Sequence, residues 1–157
     1  TVIIFIAIVG TGYLAITKKI RMLAFFLVSI FGATVAMTAL KSFFARPRPD
    51  IVPFLTTVTA ASFPSGHSML SAVVYLTIGA ILAKATKNSA LKIYYMVIAA
   101  VLSGLIGISR VYLGVHYPTD VIAGWCAGIV WASLSYLVAQ VLERKNVVEK
   151  PTDPSSE

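Results

Sequence analysis

Five apolar runs, at residues 1–17, 22–44, 67–83, 93–114 and 119–142, take up most of the chain. A helix needs about 20 apolar residues to cross a ~30 Å hydrocarbon layer, and each run reaches or approaches that length. Lipid offers no partner to backbone N–H and C=O groups, so such runs must satisfy them internally as helices. The expected fold is all-α, a polytopic transmembrane helix bundle with five spans present. Charged residues make up only 12% of the 157 and hydrophobic ones 58%, which excludes an ordinary soluble domain. A net charge of +7 would point to nucleic acid in a soluble protein. Here the basic residues fall in short clusters between apolar runs, which is membrane topology and implies no nucleic-acid partner. Gly32, Gly79, Gly104, Gly124 and Gly128 are expected where helices approach closely. Cys126, the single cysteine, cannot form an internal disulfide and is expected as a small core residue.

Lys and Arg counts set the orientation. Lys18, Lys19 and Arg21 follow the first run, Lys84, Lys87 and Lys92 the third, and Arg144, Lys145 and Lys150 the fifth. Five crossings put these nine of the thirteen basic residues on one face, the cytoplasmic one by the positive-inside rule. Lys41, Arg46, Arg48 and Arg110 lie on the other face, against that rule, together with His67, His116 and Asp120. Residues 1–145 are expected to form one transmembrane domain. The segment 146–157 is polar and contains prolines, and it is expected to be a disordered tail. No basic segment precedes the first run, so it is not expected to be a signal peptide. The chain does not begin with Met, and a further span is expected upstream.

Three segments bring polar chemistry to the external face. In KSFFARPRP, residues 41–49, Lys41 closes the second run, and Pro47 and Pro49 force an extended chain that carries Arg46 and Arg48. The plain alternative is a basic stop segment beside headgroups. In FPSGHS, residues 63–68, Ser65-Gly66-His67 opens a helix whose first N–H groups are unpaired, a ready anion site. A simple helix cap would read the same way. In SRVYLGVHYPTD, residues 109–120, His116 and Asp120 stand four apart across a proline. At that spacing the carboxylate can hold one imidazole nitrogen and leave the other free to attack. Asp120 as a mere N-cap is the alternative. It leaves unexplained why both histidines, four cations and this carboxylate share one face.

Lys41 with six residues before Arg48-Pro49, then Pro64-Ser65-Gly66-His67, then Ser109-Arg110 with five residues before His116 and three more before Asp120, is a three-part signature. It resembles that of the type-2 phosphatidic acid phosphatase superfamily, complete and in order. Members of the membrane branch are usually six-helix bundles, so the resemblance implies six spans in the native chain. The short segment from Pro49 to Pro64 is similar to that of the compact bacterial members. Vanadate haloperoxidases share the phosphate-site motif, but a minimal membrane bundle is the wrong setting for them.

The resemblance implies a phosphohistidine mechanism. His116 would attack phosphorus while Asp120 holds its far nitrogen. Lys41, Arg48 and Arg110 would bind the phosphoryl oxygens, helped by N–H groups near Ser65 and Gly66. His67 would protonate the departing lipid alkoxide, with Ser109 and Pro64 in support. Arg46 falls between the family positions and is expected at the interface, near headgroups. A two-metal site needs several carboxylate or imidazole ligands. On this face only Asp50, Asp120 and the histidines could serve, so neither metal nor cofactor is expected. Phe43, Phe44, Phe54, Phe63, Tyr112 and Tyr117 read mainly as an interfacial aromatic belt. The expected substrate is a phospholipid or polyprenyl phosphate, foremost phosphatidylglycerol phosphate, with undecaprenyl diphosphate as the alternative. The expected location is a bacterial plasma membrane, with the site on the extracytoplasmic side. A transporter, the reading from another class, would carry ionisable residues inside its spans, whereas here they cluster at the ends.

Overall fold

A computed structural model describes residues 2–49 and 61–144, and within them every regular element is helical. The helices are α1 (Val2–Ile16), α2 (Ile20–Phe44), α3 (Gly66–Lys84), α4 (Ser89–Tyr112) and α5 (Pro118–Arg144). Asp50, Phe54 and the tail 146–157 lie outside the described residues. Helices α2 to α5, of 25, 19, 24 and 27 residues, are long and apolar enough to cross a membrane. Helix α1 has 15 residues, about 22 Å at 1.5 Å per residue, and falls short of a full crossing.

Helix α3 is the axis of the bundle and packs against each of the other four. Its inward residues Met69, Val73 and Val74 are buried with Phe26 and Ala33 of α2 and with Ile3 and Leu14 of α1. Outward, Phe31, Leu105, Ile108 and Val130 are exposed, as lipid-facing side chains should be. Because lipid is as apolar as the core, what holds such helices together is close backbone approach and polar ties. Both are present. A Cβ on Gly124 would lie 2.6 Å from the Ser65 carbonyl oxygen, and one on Gly128 would lie 2.6 Å from that of Met69. Gly32 accommodates Trp131, and Gly79 lies against Ala99. The Trp131 indole N–H donates to Ser29 O at 2.9 Å, and the Ser71 and Ser103 hydroxyls are 3.0 Å apart.

Two expectations fail. Gly104 faces open space, while Gly107, not among the glycines expected at contacts, receives Trp125. Cys126 is exposed rather than buried. It lies two residues from Gly124 and from Gly128, about 200° around the helix, so the face that approaches α3 turns the thiol outward.

Candidate active site

The site is built where α2 and α4 end and α3 and α5 begin. Lys41 stands in the last turn of α2, and its Nζ donates to the Ala61 carbonyl. Ala45 ends the helix in a left-handed conformation, φ 43°, which is costly for a residue with a Cβ. Residues 45–49 then run without helix, as the prolines require. Ser62 N–H donates to Arg46 O at 2.8 Å, tying this segment to the approach to α3.

The turn between α4 and α5 holds the two residues with which the third motif ends. Leu113 caps α4, and Gly114 follows with φ 66°, the usual left-handed glycine after a helix end. Pro118 opens α5, where its missing N–H costs nothing. Asp120 is the third residue of the helix, and its Oδ2 accepts from Tyr117 N–H at 2.9 Å, half of a capping box. Helix-capping and histidine-holding are thus joint roles of one carboxylate. His116 Nδ1 lies 3.4 Å from the same Oδ2, and both residues are buried. Donation from Nδ1 fixes the tautomer and leaves a lone pair on Nε2. Arg48 Nη1, anchored on Val115 O at 2.9 Å, lies 3.4 Å from that Nε2. Burial, then the charges of Arg48 and Lys41, push the His116 pKa down to about 4, against the smaller opposing pull of Asp120. The imidazole is therefore neutral, as a nucleophile must be.

Ser65 caps α3, its Oγ accepting from Ser68 N–H at 3.5 Å and Ser68 Oγ at 3.1 Å. Its own N–H donates to Asp120 O at 2.9 Å. That bond locks the start of α3 to the start of α5 and takes this N–H away from any anion. A Cβ on Gly66 would come within 2.5 Å of Met37 Sδ, so this glycine lies against the α2 methionine side chain. The Phe63–Pro64 peptide is cis, and Pro64 is buried. The His67 side chain, half-buried in the first turn of α3, makes no hydrogen bond among the described residues. Arg110, Arg48 and Lys41 all act on it through space. The Arg110 Nε donates to Ser109 Oγ at 3.2 Å, and that hydroxyl donates to Ile106 O at 2.7 Å, so Ser109 aims the arginine.

Two residues carry more than their positions in the sequence suggest. Arg46 is not simply interfacial: its Nη1 pairs with Asp120 Oδ1 at 2.9 Å and reaches Thr119 Oγ1 at 2.8 Å. Its guanidinium lies 4.1 Å from the Tyr117 ring centroid. Ser62, fully buried, donates to Asp120 Oδ2. Neither has a helical period or a motif spacing to mark it, and only the adjoining prolines hint at a fixed backbone. Among the aromatics, Phe44 meets Phe63 edge-on at 4.8 Å, while Tyr112 is fully outward.

The model of the PAP2 superfamily matches residues 22–144. The chain is 42% identical over 130 residues to phosphatidylglycerophosphatase B of Bacillus subtilis (strain 168), covering 80% of this chain and 61% of that protein. It is 31% identical over 140 residues to an undecaprenyl-diphosphatase of Sulfolobus acidocaldarius, covering 83% and 61%. The chain thus spans about three fifths of the length of these relatives. The crystal structure of a transmembrane PAP2-type phosphatidylglycerolphosphate phosphatase from Bacillus subtilis superposes with a TM-score of 0.75 at 35% identity, covering 91% of this chain and 69% of that one. Matched from α2 to the end of α5, with its three polar segments meeting at one end of the bundle, the chain belongs to the PAP2 superfamily.

Proposed function

We propose that the chain is an integral-membrane lipid phosphatase that works through a phosphohistidine on His116. The observation that carries this reading is one imidazole held between Asp120 at Nδ1 and the Arg48 cation at Nε2. His116 Nε2 attacks phosphorus, and the bond from phosphorus to the lipid oxygen breaks. That oxygen leaves with a proton from His67. Asp120 stabilises the imidazolium as it forms. A water molecule, deprotonated by His67, then attacks phosphorus, releases phosphate and restores His116. Lys41, Arg48 and Arg110 neutralise the phosphoryl oxygens, which is most of what phosphoryl transfer asks of a protein. The N–H groups of Gly66 and His67 at the start of α3 add their dipoles, while Ser65, Pro64 and Ser109 hold the frame.

Phosphatidylglycerol phosphate is the foremost substrate in this reading, supported by the relative of 42% identity that bears the corresponding name. Undecaprenyl diphosphate is the second, favoured by the second relative. Both carry a terminal phosphoryl group on a lipid, and the cations would grip either. The reading includes a bacterial plasma membrane with the site on the extracytoplasmic side, in keeping with the basic residues at the opposite end. Phosphate release by the purified protein in detergent tests it, with phosphatidylglycerol phosphate, phosphatidic acid and undecaprenyl diphosphate compared in excess chelator. Fastest release from phosphatidylglycerol phosphate is expected. Preference for the diphosphate would reverse the order of the two substrates, and release only after a divalent ion is restored would sink the histidine mechanism.

A further inference from the structure

At the end of the bundle remote from His116, a groove of about 770 Å³ opens between α2, α3, α4 and α5, within the ~300–1,000 Å³ of ligand pockets. Met22, Leu76, Met96, Ile129, Ala132 and Tyr136 contribute an overwhelmingly apolar lining. Two cations also line it, Lys84 at the last residue of α3 and Lys92 in the first turn of α4. The Lys84 ammonium lies 5.8 Å from the Tyr136 ring centroid. From Lys84 to Leu76 the groove follows α3 for eight residues, and from Ala139 to Ile129 it follows α5 for ten. At 1.5 Å per residue these are depths of about 12 and 15 Å, or one leaflet of a ~30 Å hydrocarbon layer.

Among the described residues none fills this space. An apolar groove one leaflet deep, with cations where that leaflet's headgroups lie, matches one chemistry. We propose that it binds an anionic phospholipid of the leaflet opposite the active site, with an acyl chain in the groove and the phosphate at Lys84 and Lys92. This site is separate from the phosphatase centre and stands whichever headgroup that centre hydrolyses.

Native mass spectrometry of the purified chain in non-ionic detergent, titrated with phosphatidylserine, tests the proposal. That lipid is anionic and has no phosphomonoester. Phosphatidylserine should bind about thirtyfold more tightly than phosphatidylcholine of the same chains, the effect of two lysines near a headgroup. The double variant Lys84→Gln/Lys92→Gln should remove that difference, and Ala132→Trp should block both lipids. Hydrolysis of soluble nitrophenyl phosphate reports whether each variant still folds. If Ala132→Trp fails that control, the lysine variant decides alone. Equal binding of the two lipids, preference that survives the glutamines, or loss of binding in Arg48→Ala instead would each overturn the assignment.

Discussion

The two histidines differ in what surrounds them. His116 is buried and held at both nitrogens, whereas His67 stands half-buried among three cations. His116→Ala should abolish turnover of every substrate, because the bond-forming atom is gone. His67→Ala should lose about 10²–10⁴-fold on a phospholipid, the usual contribution of a general acid. It should lose far less on nitrophenyl phosphate, whose leaving group needs no proton. Rapid quench should trap acid-labile phosphoenzyme in His67→Ala with that substrate, and its appearance in His116→Ala would refute the assignment. A second prediction concerns pH. Since His116 titrates near 4 in the fold and near 6.5 in an unfolded chain, the unfolded state binds more protons between those values. Its contribution to stability is full above about 6.5 and is lost as pH falls toward 4. In His67→Ala, where it is the single histidine, its ring resonance should titrate near 4; a midpoint near 6.5 would show that burial and the cations leave it unperturbed. Ser62→Ala tests the carboxylate's support. A hydrogen bond to a charged group contributes about 1.5–3 kcal/mol, so phosphoenzyme formation should slow about tenfold or more while the protein stays folded. An unchanged rate would make Ser62 a bystander.

Among the elements, the crossing of α3 and α5 matters most to the chemistry. Gly124 lets α5 lie on the Ser65 carbonyl, and one turn earlier Asp120 O accepts the Ser65 N–H. The contact that packs the bundle therefore also sets the first turn of α3 beside the Asp120–His116 pair. Gly124→Ala would push a methyl into backbone, where nothing can rotate away. Overpacking of this kind costs about 1–3 kcal/mol, and both thermal stability in detergent and activity should fall. Gly104→Ala is the control. Its Cβ meets open space, and alanine favours a helix by about 1 kcal/mol, so stability should hold or rise. Equal effects of the two substitutions would mean that the crossing is not tight.

At the scale of the whole molecule, charge is segregated along the bundle. Lys19, Lys84, Lys87 and Lys92 lie at one end, and Lys41, Arg46, Arg48 and Arg110 at the other. In a Cys126→Ser background, Tyr112→Cys should react with an impermeant thiol reagent on intact cells, and Lys87→Cys only after lysis. The reverse pattern would invert the topology. The sequence by itself determined the helices, because apolar length and backbone satisfaction in lipid leave no other solution. It also marked Lys41, Arg48, His67, Arg110, His116 and Asp120, because charge beside a membrane core is costly enough to signal a task. Long-range partners were not legible in it. Arg46 reaches Asp120 across 74 positions and Ser62 across 58, so their service to one carboxylate exists only once the ends of α2 and α5 meet. The fate of the Ser65 N–H, the outward turn of Cys126 and the open surroundings of Gly104 were decided in the same way. Each depends on which face of a helix meets which neighbour, and apolar composition that is uniform around a lipid-embedded helix carries no record of that rotation.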